Sequence, residues 1–208
     1  MTSRRKVGIG LIVIIATLCI LLANGVWRED TEPLGETWSE NSTLFDFAQP
    51  SAWDYWRIVN DGVMGGVSSS RMTQTEGGTA LFTGDVSLEN NGGFASVEAR
   101  FDAVDLSSYD GIEITYRGDG QRYGFNMRDR PAWTVYQADF VAKSAKEGEW
   151  NVIRIPFDQL TPLSFGRKVR AEPFDPKSVI TMQLIISDKQ EGPFAIELQS
   201  IKAYRDSN

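Results

Sequence analysis

The chain has 208 residues, room for one ordinary domain with a real core plus an appendage, and its 41% hydrophobic, 24% charged composition is globular. The net charge is −7, and Arg4, Arg5 and Lys6 precede the first acid, so the rest is more acidic still; no basic stripe exists to follow a phosphate backbone, which excludes nucleic acid as a partner. Histidine is absent and the single cysteine, Cys19, lies in the N-terminal apolar run, so the folded part has no Ser-His-Asp triad, imidazole base, His- or Cys-ligated zinc, cysteine nucleophile or disulfide.

The first element is the N-terminal segment, residues 1–27. A basic start leads into an uncharged run from Val7 to Ala23, near the lower limit for a spanning helix, for which about 20 residues are usual. Basic residues ahead of the run predict a cytoplasmic N-terminus and an exported domain, periplasmic in a bacterial host, on a single-pass inner (plasma) membrane anchor. Two readings stand. One is an uncleaved signal anchor; the other is a signal peptide cut after Gly25, with Ala23 and Gly25 as the small residues a peptidase reads, which would leave a secreted protein. Residues 28–42 are polar and acidic and read as a tether.

From residue 43 to 205 the pattern is short β-rich runs separated by Gly, Asn, Asp and Pro clusters. In chain order the strands are "TLFDF", "YWRIV", "VSSSRMT", "TALFTGDVSL", "FASVEARF", "GIEITYR", "RYGFNMR", "WTVYQADFVA", "EWNVIRIPF", "VITMQLIIS" and "FAIELQSIKAY". "ITMQLIIS" is apolar enough for a central strand buried on both faces. The alternation of the last strand slips near Ser200-Ile201, which predicts a bulge. Only Phe157–Leu160 suggests a helical turn, so the fold class is all-β, an antiparallel β-sandwich or jelly roll.

The stretch "VNDGVMGGVSSS" follows a strand and is glycine-rich, as phosphate loops are. It has no following Lys and no helix behind it, and Asp61 at its head repels anions, so it reads as a shaped turn. If consecutive strands alternate direction, its residues Asn60, Asp61, Gly62, Met64, Gly65 and Gly66 lie at the same end of the sandwich as three other loops. These are the loop with Asn90, Asn91, Gly92 and Gly93, the turn with Asp119, and the turn with Asp188, Lys189, Gln190 and Glu191. Loops gathered on a rigid sandwich are where binding surfaces arise, and this loop end is the candidate binding site. No catalytic set, no metal site and no cofactor is expected; the acids lack EF-hand spacing.

The same loops carry a family resemblance. "WRIVNDGVMGGVSSS", "SLENNGGFASVEARF", "YRGDGQRYGFNMR" and "ISDKQEGPFAIELQSI", in this order between about Leu44 and Tyr204, resemble the complex I intermediate-associated protein family. Its eukaryotic members are mitochondrial assembly factors for the respiratory NADH dehydrogenase. The resemblance implies a galactose-binding-like jelly roll, protein partners in the assembly of a respiratory or envelope complex, and no established catalytic constellation.

Six tryptophans leave a second role open, that of a carbohydrate-binding module. Trp53 and Trp56 precede the glycine loop, and Trp133 with Tyr136 follows Pro131. At strand starts such rings either seal the core or stack on sugars, and Trp133 and Tyr136 are the candidates for stacking.

Overall fold

The computed structural model describes residues 42–206. The expected N-terminal span and all of the tether except Ser42 lie outside the described residues. Among the described residues no helix is long and apolar enough to cross a membrane.

Thirteen strands alternate with tight turns and 3-10 turns: β1 (Thr43–Asp46), β2 (Trp56–Ile58), β3 (Ser69–Gln74), β4 (Ala80–Val86), β5 (Ala95–Val104), β6 (Gly111–Arg117), β7 (Arg122–Arg128), β8 (Thr134–Val141), β9 (Asn151–Pro156), β10 (Thr161–Ser164), β11 (Arg167–Lys168), β12 (Val179–Ile186) and β13 (Gly192–Tyr204). They form two sheets. The six-stranded sheet runs β3-β4-β13-β6-β9 with β1 also on β13, and the seven-stranded sheet runs β11-β10-β8-β7-β12-β5-β2. All pairings are antiparallel. The register of β13 against β6 shifts between Leu198 and Ser200, where the alternation of the sequence slips. Sequence reading passes over β10 and β11, since a four-residue and a two-residue strand are too short to show a period of two.

One core lies between the sheets. Phe82, Ile196, Leu198 and Ile114 come from one sheet, and Val97, Phe125, Met127 and Leu184 from the other. Phe45 meets Trp56 edge-on with ring centroids 5.0 Å apart, which closes one side of the sandwich. Each such fully buried side chain contributes about 1.5–3 kcal/mol, so truncating Phe45 to Ala costs about 3–5 kcal/mol.

The outer face of the seven-stranded sheet is polar. Register places Arg57, Glu98, Gln183, Asn126 and Gln137 in one row across five strands. Their strand neighbours Val97, Leu184, Phe125 and Tyr136 point into the core, so the row points away from it. Asn126 Nδ2 donates to Gln183 Oε1 at 2.7 Å, and Gln183 Nε2 donates to Ser96 Oγ at 3.0 Å. Glu98, although buried, is paired by Arg128 at 2.7 Å and by Arg100, which meets the requirement that a buried charge be compensated.

Candidate functional site

The four glycine- and asparagine-rich loops lie at one end of the sandwich. Ile186 at the end of β12 faces Ala95 at the start of β5, Ile185 faces Gly124 on β7, and Gly192 at the start of β13 faces Val86 at the end of β4. Strands whose ends pair in this way deliver their connecting loops side by side.

Asp61 holds the first two loops together. Its side chain is fully buried. Oδ1 accepts the Ser68 N–H at 3.0 Å, and Oδ2 accepts the Ser68 hydroxyl at 2.5 Å, Gly93 N–H at 2.7 Å and Phe94 N–H at 3.3 Å. Burial alone would raise this carboxyl, but the Ser68 hydroxyl and the three backbone N–H donors outweigh it and hold the carboxyl below the usual carboxylate range. The glycines follow from the carboxylate. A Cβ on Gly66 would sit 2.4 Å from Asp61 Cγ, and one on Gly92 would sit 2.6 Å from Oδ2. Close approach to an acid, not to a phosphate, is what empties these positions of side chains.

A second latch joins the other two loops. Asp119 accepts Ala195 N–H at 2.8 Å and the Tyr123 hydroxyl at 3.0 Å. Burial, then the neighbouring Asp119 charge, pushes the Tyr123 phenol well above its usual range. The Gln190 amide both accepts from Arg122 N–H and donates to Arg122 C=O, each at 2.9 Å.

The candidate residues therefore divide. Asp61 is a correction to the sequence reading: buried and saturated with donors, it cannot contact a ligand. Asn60 likewise spends its Oδ1 on the Ser70 hydroxyl and Ser96 N–H. Gly66 and Gly92 make room for the latch, and Gly93 donates its N–H to it. Gly62, Met64, Gly65, Asn90, Asn91, Asp188, Lys189 and Glu191 are exposed. Met64 is 61% exposed and stands beside Val63 and Val67, also exposed, on a loop fixed from beneath by Asp61. Met64 therefore does not face the core.

The two aromatic candidates separate as well. Tyr136 is a second correction, because its ring lies in the core and its hydroxyl donates to Glu172 C=O at 2.8 Å, leaving no face for a sugar. Trp133 is 77% exposed and stacks on Phe165 at a centroid distance of 5.4 Å. Phe165 and Gly166 both have positive φ, 48° and 72°, in the two-residue hairpin between β10 and β11. A bulky residue in that conformation is strained, and its ring lies against Trp133.

Beside Trp133 lies a groove of about 700 Å³, lined among others by Arg100, Asp102, Arg128, Pro131 and Thr181. Its rim is anchored by buried Asp129, which takes a two-point contact from Arg130 at 2.8 Å and accepts Asp175 N–H at 2.8 Å. Burial opposes the Asp129 charge, but Arg130 and the Asp175 amide hold the carboxyl below its usual range. Sequence reading missed Arg100, Arg128 and Phe165. The polar i, i+2 alternation Glu98-Arg100 and Asn126-Arg128 was the available signal for the first two.

Residues 45–198 match the family model described as complex I intermediate-associated protein 30, CIA30. The chain belongs to the CIA30 family. Among its relatives, an uncharacterized protein of Schizosaccharomyces pombe is 28% identical over 76% of this chain and 82% of its own length. The mouse mitochondrial complex I intermediate-associated protein 30 is 22% identical over 85% of this chain, which spans 60% of the mouse protein. The match covers both Asp61-linked loops and the Trp133 groove, so both surfaces are parts of a CIA30 domain. In fold, this domain is similar to a family 11 carbohydrate-binding module from a cellulosomal cellulase of Clostridium thermocellum, with a TM-score of 0.61, 12% identity and coverage of 81% of this chain and 96% of the module. An agarase is similar with a TM-score of 0.55 and 12% identity, over 82% of this chain and 25% of the enzyme. At this identity the likeness is one of fold: an antiparallel β-sandwich.

Proposed function

We propose that this CIA30 domain is a non-catalytic binding module. It docks a protein partner through its glycine-loop end, in the assembly of a respiratory or envelope complex. Its N-terminal segment tethers it to the membrane with the domain exported. One observation carries the docking reading: Val63, Met64 and Val67 are exposed apolar side chains on a loop held rigid by buried Asp61. An ordered apolar knob gains burial on contact at little entropic cost, as a docking residue must. The name of the mouse relative, an intermediate-associated protein of complex I, supports a role in assembly.

The test is site-specific photo-crosslinking from position 64 in intact membranes. A discrete protein adduct is expected, absent from the Val63→Asp variant and from a crosslinker at Val152, which is equally exposed but lies on β9. Equal labelling from both positions would overturn the proposal. Mass spectrometry of the mature chain tests the tether, since a chain beginning at Val26 removes it.

Carbohydrate binding is a second reading and uses a different surface. The exposed Trp133–Phe165 stack beside a groove that combines apolar walls with Arg100, Asp102 and Arg128 favours it, as does the fold shared with carbohydrate-binding modules.

A further inference from the structure

We infer that the groove beside Trp133 is a subsite for a neutral oligosaccharide, distinct from the glycine-loop end and resting on the second reading above. Four observations converge on it.

The platform is built at a cost. Trp133 and Phe165 are 77% and 75% exposed, yet they stack on each other, and Phe165 does so from a left-handed backbone conformation that disfavours a bulky side chain. The two rings lie 27° from parallel with centroids 5.4 Å apart, and both side chains stay largely exposed. An exposed aromatic ring beside a groove that mixes apolar walls with Arg100, Asp102, Arg128 and Thr181 suits a pyranose ring, which has an apolar C–H face and hydroxyls around its edge.

The polar side of the groove is pre-arranged and incompletely used. Glu98, buried behind the groove, holds the Arg128 guanidinium at 2.7 Å and also binds Arg100. Arg128 Nε is buried and has no partner, and two residues back on the same face of β7 the Asn126 carbonyl oxygen is also buried without one. Arg128 lines the groove, so its Nε is a spare donor there for a sugar hydroxyl, which both gives and receives a hydrogen bond. A lipid surface or an apolar peptide would leave that donor unsatisfied.

Charge selects a neutral ligand. Arg100 and Arg128 are balanced by Glu98 and Asp102, and the protein as a whole is acidic at −7. An acidic sugar therefore meets no net positive field. The volume, about 700 Å³, accommodates more than one sugar unit.

The full chain, purified in a non-glycosidic detergent, is titrated calorimetrically with cellohexaose, mannohexaose and hexagalacturonic acid. Saturable binding of at least one neutral hexasaccharide is expected. It should weaken about tenfold or more in Trp133→Ala, whose exposed side chain leaves the melting temperature unchanged. Phe165→Asn should keep or raise the melting temperature and still weaken binding, which separates loss of the platform from loss of the fold. Met64→Ser should bind sugar like the parent, so failure at this groove is distinct from failure of protein docking at the loop end. Flat titrations with both neutral sugars, tighter binding of the acidic one, or unchanged affinity in Trp133→Ala would each overturn the inference.

Discussion

The Asp61 carboxylate and the Gly93 amide lie 32 residues apart in the chain and meet at 2.7 Å, joining two loops into one rigid end of the sandwich. Around that contact the Ser68 hydroxyl and two further backbone N–H groups converge on the same carboxylate, so one side chain organises a glycine-rich surface.

Removing the acceptor leaves buried donors unpaired. Asp61→Ala should destabilise the domain by about 2–4 kcal/mol, the cost of stranded amides and of lost hydrogen bonds to a charge. Asp61→Asn, which presents a donor to donors, should cost less but still more than about 1 kcal/mol. Chemical denaturation measures both. A loss below about 0.5 kcal/mol in Asp61→Ala would mean the latch is incidental.

Gly66→Ala should reproduce that loss from the other side. The added Cβ meets Asp61 Cγ at 2.4 Å, so the carboxylate or the loop must move. Gly62→Ala meets nothing within 4 Å and should be nearly neutral. Equal melting temperatures for the two variants would contradict the packing described.

The carboxyl of Asp61 titrates below the ordinary aspartate value of 3.8 when folded. A depressed folded value stabilises the native state above the unfolded value, and that contribution is lost as pH falls through the lower folded one. Asp129, lowered mainly by Arg130 against the opposing effect of burial, acts in the same direction. Stability measured between pH 7 and pH 2 should therefore fall in the acid limb. The slope should be shallower in Asp61→Asn; an identical slope in the variant would exclude Asp61 as a source.

Relieving Phe165 should stabilise the domain. Its φ of 48° in a two-residue hairpin suits Asn, so Phe165→Asn is expected to gain about 1 kcal/mol by thermal melting while giving up the ring against Trp133. A loss of stability would show that the stack outweighs the backbone strain.

Much of the fold was legible from local pattern. Alternation in "FAIELQSIKAY", its slip near Ser200, and the more continuously apolar "ITMQLIIS" correspond to β13, its register shift and the central strand β12. Strand parity also placed the four loops at one end. Antiparallel connectivity alternates ends, and the added hairpin β10–β11 contains an even number of strands, so it left the count undisturbed. The candidate residues fared unevenly. Tyr136 and Trp133 sit three positions apart in one aromatic cluster of the sequence, yet one ring is buried in the core and the other is exposed beside the groove.

Composition, turn residues and period-two alternation are local properties, and they were enough to specify an all-β sandwich, its loop-bearing end and the absence of histidine and cysteine chemistry. Burial is not local. Whether Asp61 would face solvent depended on Gly93 and Phe94 arriving from another loop, and whether Met64 would be free depended on that latch forming beneath it. The groove at Trp133 needed strands β5, β7 and β12 side by side, with Pro131, Ala132 and Trp133 beside them. Only the tertiary structure decided these, because a side chain's environment is set by what packs against it, and here those partners lie tens of residues away.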